Sequence, residues 1–567
     1  MMIHRFIKAS LPVLGVITWV VTFSFAQSSK QLDADICIYG ATPAGVTAAL
    51  AAVEEGHKVI VVEPSRWAGG ILGAGLKPMQ DCPNFEAVGG ITRTLLLSLG
   101  MENRFENYTE KDVRQAMRTY MSPKVIQEDF KQLLADHKVT VVYEHRVAEV
   151  EKHSGKIERI WLDFAPPDAT GCPIPLPQAK RSLAVNAKQF IDASYEGDLM
   201  AATGVSYRTG RESVAEFSES LAGVRPPAHI IPIDPYRIKG DKNSGLLPWV
   251  DADHKKEIGS ADRYTQAYNY RFYITEEPKY RTDIVPPADY KPEQYELLGR
   301  YVEYVKANKP KDSVLIYLGN IFPGWRNVQD YNYHRNSVFT IAPLGISQLY
   351  ADGDYATKSE IWKLHQDYLR GIYTFLTTDP RVPEEFRTKT ANIGFDKRHF
   401  LGSDGWPHQL YVRVTRRMTG EYTVSQSDVY NKQEVVDPVG LAQYGIDTYP
   451  SRRYALDRNG ETVVAVEGDM FIGGHAGPTK VPYQIPYRAI IPKRSECTNL
   501  LVPVCFSATH VGYASGRMEP VFMILGESAG VAASHALKTG VAVQDINRDE
   551  YKNALLERGQ RLRWPVD

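Results

Sequence analysis

The chain has 567 residues, with 66 Lys and Arg against 67 Asp and Glu and a formal net charge of −1. That length is too great for one simple core and sets two intertwined domains as the prior, while the balanced charge offers no attraction to nucleic acid or to an anionic membrane surface. Five cysteines, odd in number and none closer than eight residues to the next, exclude a disulfide scaffold and closely spaced iron–sulfur ligation, and no HExxH or P-loop occurs.

In chain order, Arg5 and Lys8 precede an apolar run, Leu11 to Ala26, that ends in Ser24-Phe25-Ala26 before the polar QSSKQLDAD. The run is short for a bilayer span and carries no Arg pair, so residues 1–26 are read as a Sec-type signal peptide. The mature chain is expected to be secreted or periplasmic, with no stable membrane anchor after cleavage. Ile36 to Tyr39 then predicts a strand, Gly40 a tight turn, Ala44 to Glu55 a helix stopped by Gly56, and Lys58 to Val62 a second buried strand ending at Glu63. Gly40-x-Thr42-x-x-Gly45 has the rhythm of a dinucleotide-binding turn, with Thr42 where a second glycine is usual. In such a unit a pyrophosphate sits over the helix N-terminus, and the acid ending the second strand accepts hydrogen bonds from ribose. Arg66 to Leu76 follows at once with Gly69, Gly70, Gly73 and Gly75. A nicotinamide enzyme has no need of glycines there, whereas a flavin must lie against backbone.

With that segment, Asp33 to Leu76 resembles the N-terminal FAD-binding region of the FAD-dependent oxidoreductase family common among secreted bacterial proteins, itself similar to the flavin-binding part of heterodisulfide reductase A-like proteins. Val139 to Lys152 and Lys188 to Val205 look like the family's adenine-side strand and second flavin motif, with Asp192, Glu196, Gly197 and Asp198. Asn499 to Leu537 looks like its closing strand, turn and helix, the helix starting near Glu519 with Pro520 in its first turn and stopping near Gly540. The resemblance implies an α/β fold: a Rossmann-like FAD/NAD(P)-binding domain split between 33–211 and 453–540, an inserted mixed α+β substrate domain at 212–452 and a helical tail at 541–567. It implies FAD as cofactor, held by Gly40, Thr42, Pro43, Ala44, Gly45, Glu63, Pro64, Gly69, Gly70, Val147, Asp192, Gly197, Arg517, Met518 and Gly526. The chain departs from the family where Val414 stands in place of an acid, and from heterodisulfide reductase A-like proteins in lacking cluster motifs.

Within the insertion, Gln266 to Thr275 alternates as a strand, either flooring a cavity or half-buried with Arg271 in water. Trp406 to Val424 puts Arg413, Arg416 and Arg417 near one another, to clamp a carboxylate, hold a reduced flavin or form salt bridges that lock the domains. His475 is expected to face the cavity, and it or a tyrosine of the Gln266 to Tyr273 strand is the next candidate for the catalytic base after His510. His510 and Arg517 lie between a buried strand and a buried helix. There His510 could act as base and Arg517, with the helix dipole, could stabilise charge at the flavin pyrimidine edge; alternatively His510 is a packed turn histidine and Arg517 a partner of Glu519 or Glu527. The function expected is an exported FAD-dependent oxidoreductase moving hydride between a small-molecule substrate, first a carbohydrate-derived alcohol, and flavin N5, with a quinone, a redox protein or oxygen as electron acceptor. A nicotinamide-dependent dehydrogenase and a non-catalytic secreted binding protein are the alternatives.

Overall fold

The computed structural model describes residues 30–104, 106–324, 328–332, 334–335, 337–473 and 480–566. The predicted signal peptide and His475 lie outside the described residues. The first eight strands are β1 (Lys30–Asp33), β2 (Ile36–Tyr39), β3 (Val59–Glu63), β4 (Thr140–Tyr143), β5 (His145–His153), β6 (Lys156–Phe164), β7 (Ala179–Asn186) and β8 (Gln189–Asp192). A five-stranded, wholly parallel sheet runs in the order Leu500–Leu501, β8, β2, β3, β4. Strands β2 and β3 are short β-branched and apolar runs buried on both faces, as a parallel sheet covered by helices requires. In this register Tyr39 lies level with Val62 and Asp192, so the ends of three strands meet at one edge. A second sheet, in the order β1, β7, β6, β5, flanks that edge.

Four helices position the site: α1 (Pro43–Glu54), α2 (Tyr355–Thr378), α3 (His510–Gly516) and α4 (Glu519–Thr539). The limits of α4 match the sequence reading, with Pro520 in the first turn and Gly540 in the left-handed conformation (φ 70°) as its cap. It is long and apolar enough to cross a membrane, yet it is buried along its length as the central helix of the core. It packs on α1 at backbone distance, since a Cβ on Gly526 would lie 2.2 Å from the carbonyl oxygen of Ala44.

A second, aromatic-rich core is built on Tyr268, Tyr270, Phe272 and the buried face of α2. Its antiparallel sheet pairs Phe272–Thr275 with Val328–Tyr331 and Gly394–Asp396. The regular strand within Gln266 to Thr275 is therefore shorter than its alternation predicts, and both of its faces are dry. Arg271 is 2% exposed and ion-paired with Asp330, so it does not project into water. Strand Arg452–Arg458 pairs with Glu461–Glu467, which pairs in turn with Pro227–Ile231, so residues on both sides of position 453 share one sheet.

Candidate active site

Between β2 and α1 the chain makes the predicted turn, and its geometry explains why threonine serves at the middle position. Gly40 has φ 102°, open only to glycine at low cost, and a Cβ on Gly45 would sit 1.9 Å from the oxygen of Gly40. Thr42 is extended (φ −65°, ψ 168°) and needs no such freedom. Its hydroxyl accepts from the N–H of Gly45 at 3.2 Å and donates to the carbonyl of Ala193 at 2.7 Å, which caps α1 and ties the turn to the end of β8. Pro43 and Ala44 form the first turn behind it.

A cleft opens at the strand edge, and Gly40, Thr42, Glu63, Pro64 and Gly70 line it together with Arg146, Ser194, Tyr195 and Glu196. Glu63 ends β3 there, its two oxygens taking the N–H groups of Ala41 (2.7 Å) and Ser65 (2.8 Å) while burial raises its pKa. Gly69 (φ 90°) and Gly70 (φ 46°) shape the next wall, and a Cβ on Gly70 would collide with the Tyr195 hydroxyl at 2.4 Å.

Several residues of the predicted cofactor set instead support the cleft from behind. The Val147 N–H donates to the Tyr39 hydroxyl at 3.2 Å, and its neighbour Arg146, 4% exposed with an unpartnered Nε, faces the cleft in its place. Asp192 is buried, accepts from Ser194 and from the Met200 N–H, and holds the loop after β8 in shape. Gly197 adopts the left-handed conformation (φ 64°) that opens the short helix Asp198–Ala202. Gly526 serves the contact between α1 and α4, and Met518 is the buried cap residue of α4.

Beside Gly70, Tyr195 lines the cleft and ties it to the start of α4. The Tyr195 hydroxyl accepts from the N–H of Ile71 (3.1 Å) and donates to Glu519 Oε1 (2.7 Å), so one phenol joins the glycine-rich segment to the helix. Burial pushes the Glu519 carboxyl up to about 8, and its Oε2 has no partner. Arg517, 4% exposed, donates to the carbonyl of Asp447 (3.0 Å) and lies 3.5 Å from that residue's carboxylate. Its partner is therefore neither Glu519 nor Glu527, the latter pairing with Arg558. His510 begins α3, its backbone N–H held by Glu212. Burial, then the guanidinium groups of Arg417, Arg211 and Arg517, drive its pKa far down, so the imidazole is neutral and a weak base. Arg416 pairs with Asp198 and Arg417 with Glu212, as bracing ion pairs, while Arg413 takes no carboxylate among the described residues.

The pair Tyr195–Glu519 was not singled out by sequence reasoning as chemistry. Glu519 was named as the start of the closing helix and as a partner for Arg517, although a carboxyl opening an otherwise apolar helix was the available signal.

A helix N-terminus behind a glycine cradle, a carboxylate at the end of the second parallel strand and an unpartnered buried Arg146 Nε fit a dinucleotide, and the glycine-walled extension toward α4 fits the flavin half of FAD. Fold and cleft thus define a dinucleotide-binding α/β flavoenzyme. The family model described as "FAD dependent oxidoreductase" matches residues 35–555, and the chain belongs to that family. No curated protein matches the chain. Solved structures similar to it include L-proline dehydrogenase from P. horikoshii (15% identity, 32% of this chain and 25% of that chain, TM-score 0.16). L-amino acid deaminase from Proteus vulgaris is another (14%, 32% and 52%, TM-score 0.22), as is the myxobacterial chondrochloren halogenase CndH (16%, 32% and 41%, TM-score 0.20). The chain covers between a quarter and about half the length of these structures.

Proposed function

We propose that the protein is an exported FAD-dependent oxidoreductase that oxidises a hydroxyl-bearing organic substrate, a carbohydrate-derived alcohol being the first class to try, and passes the electrons to a quinone, a redox protein or oxygen. The observation that carries this reading is the lining shared by Gly40, Gly70 and Tyr195, with the Tyr195 hydroxyl joined to the buried, proton-holding Glu519 behind it. FAD, when bound, supplies the hydride acceptor at N5. The chain contributes the rest. The N-terminus of α1 and Gly40 hold pyrophosphate, and Glu63 takes ribose hydroxyls. Arg517 supplies positive charge beside the N-terminus of α4, where charge develops on reduction. Tyr195 and Glu519 relay the proton leaving the substrate hydroxyl. With its carboxyl raised to about 8, Glu519 accepts that proton more readily as pH rises. His510, kept neutral, is left to donate or accept a hydrogen bond.

Export is supported by the basic start and apolar run of residues 1–26. Without an Arg pair there, the chain would cross unfolded and take up FAD afterwards. Cell fractionation tests this: processed protein beginning near Gln27 in the periplasm or medium agrees with it, and full-length protein in the cytosol contradicts it. For the activity, anaerobic addition of a substrate alcohol to the flavin-loaded protein should bleach the flavin, and no bleaching across polyols, sugars and sugar acids would remove the proposed substrate class.

A further inference from the structure

Three arginines converge on one tyrosine between the glycine-rich segment and the start of α4. The guanidinium carbons of Arg271 and Arg413 lie 5.7 Å and 4.5 Å from the centre of the Tyr411 ring, and Arg517 Nη1 lies 3.5 Å from its hydroxyl. All three are nearly dry, at 2%, 3% and 4% exposure. The cluster abuts the glycine-rich segment, because a Cβ on Gly75 would lie 2.9 Å from the Arg271 carbonyl and Tyr273 donates to the Gly75 carbonyl at 3.0 Å. Arg517 places its other side at the start of α4.

One guanidinium in this cluster lacks a direct ion pair. Arg271 is paired with Asp330. Asp447 is shared between Arg517 and Arg335, which pairs with Asp469 as well, and Asp81 interacts electrostatically with Arg271 and Arg517. Arg413 makes no ion pair or hydrogen bond with a carboxylate among the described residues, Asp447 acting on it only at longer range. Its Nη atoms donate to neutral oxygens of Ala267, Asn269 and Asn332, and its guanidinium rests 3.6 Å from the centre of the Tyr449 ring. The Nε atoms of both Arg413 and Arg517 are buried without a partner. A buried guanidinium stays charged, and leaving it without a counterion is costly unless a ligand provides one. Tyrosine faces and amide oxygens hold such a cation in place without neutralising it, which keeps it available to an anion.

We propose that this cluster binds the carboxylate of the substrate, which makes the substrate an organic acid carrying a hydroxyl, such as a hydroxy acid or a sugar acid, and not a neutral polyol. The proposal rests on the reading that substrate meets the cleft at its ring end. Arginine suits the task because its planar N–H fork matches a carboxylate, and each substrate lacking the acid leaves the cation unpaired.

Calorimetric titration of the flavin-loaded protein with D-gluconate, lactate, acetate and neutral D-sorbitol tests it, with the FAD-free protein as a second arm. Gluconate is expected to bind at least about tenfold more tightly than sorbitol, from one charge-assisted Arg–carboxylate contact. Arg413→Met should reduce that preference below about twofold while the flavin remains bound. Asn269→Asp, which sets a counterion beside Arg413 with little change of shape, should do the same and serves if the methionine variant does not fold. None of the three acids binding more tightly than sorbitol, a preference that survives in both variants, or loss of FAD from Arg413→Met would each overturn the proposal. Failure of the wild-type protein to bind FAD would instead contradict the flavoenzyme reading, and the FAD-free arm would still report whether the cluster selects acids.

Discussion

Glu519 and Tyr195 show at the scale of single residues how burial turns ordinary side chains into chemistry. A glutamate at the mouth of an apolar helix, with one oxygen on a phenol and the other unpartnered, holds its proton to about pH 8. If this pair takes up the substrate proton, the rate of flavin reduction should rise with pH through about 8. Glu519→Gln should abolish that rise and slow reduction by about 10² to 10⁴-fold, whereas His510→Asn should leave the rise in place. Stopped-flow reduction across pH decides between them, and loss of the limb in the His510 variant would return the role of base to the imidazole. Stability gives an independent check. The folded carboxyl keeps its proton above the value of about 4.3 at which the unfolded chain loses it, so folding binds a proton and stability falls as pH rises from there to about 8. Glu519→Gln should therefore raise Tm relative to the parent at about pH 9 and give no such gain at about pH 4. Glu63 is the matching case at the ribose end, where Glu63→Gln should weaken FAD binding by about 1.5–3 kcal/mol, read by titrating apoprotein. Unchanged affinity would show that Glu63 only braces Ala41 and Ser65.

Among elements, the turn between β2 and α1 was legible because each position has a local cause. Gly40 needs a positive φ, Gly45 needs the absence of a Cβ, and Thr42 is a helix cap. Gly45→Ala should accordingly abolish FAD retention. Thr42→Gly should keep FAD and cost about 1 kcal/mol of stability, from the lost hydroxyl bond to Ala193. Equal damage from both substitutions would contradict this division. Gly526 was misread for an instructive reason: a small residue signals close approach, but spacing does not say to what. The approach is to the Ala44 carbonyl of α1, so Gly526→Ala should destabilise the fold by about 1–3 kcal/mol in thermal denaturation while the residual folded protein still binds flavin. The arginines at 416 and 417 were ambiguous in the same way, since local sequence cannot show that Asp198 and Glu212 wait for them.

For the whole molecule, a parallel sheet with a cleft at its strand ends and an aromatic second core beside it account for the length of the chain. The order of the nucleotide-binding elements could be read from sequence because glycine, capping and apolar runs are local signals. The ring end could not, because its partners are distant: Tyr195 and Glu519 lie 324 residues apart, and Arg413 and Asn269 lie 144 apart. The central claim is that this cleft holds FAD. The most direct test is the visible spectrum of the purified mature chain, with extraction of any chromophore after denaturation. The account predicts a yellow protein that releases FAD. A folded protein that is colourless and stays so after incubation with FAD would contradict it.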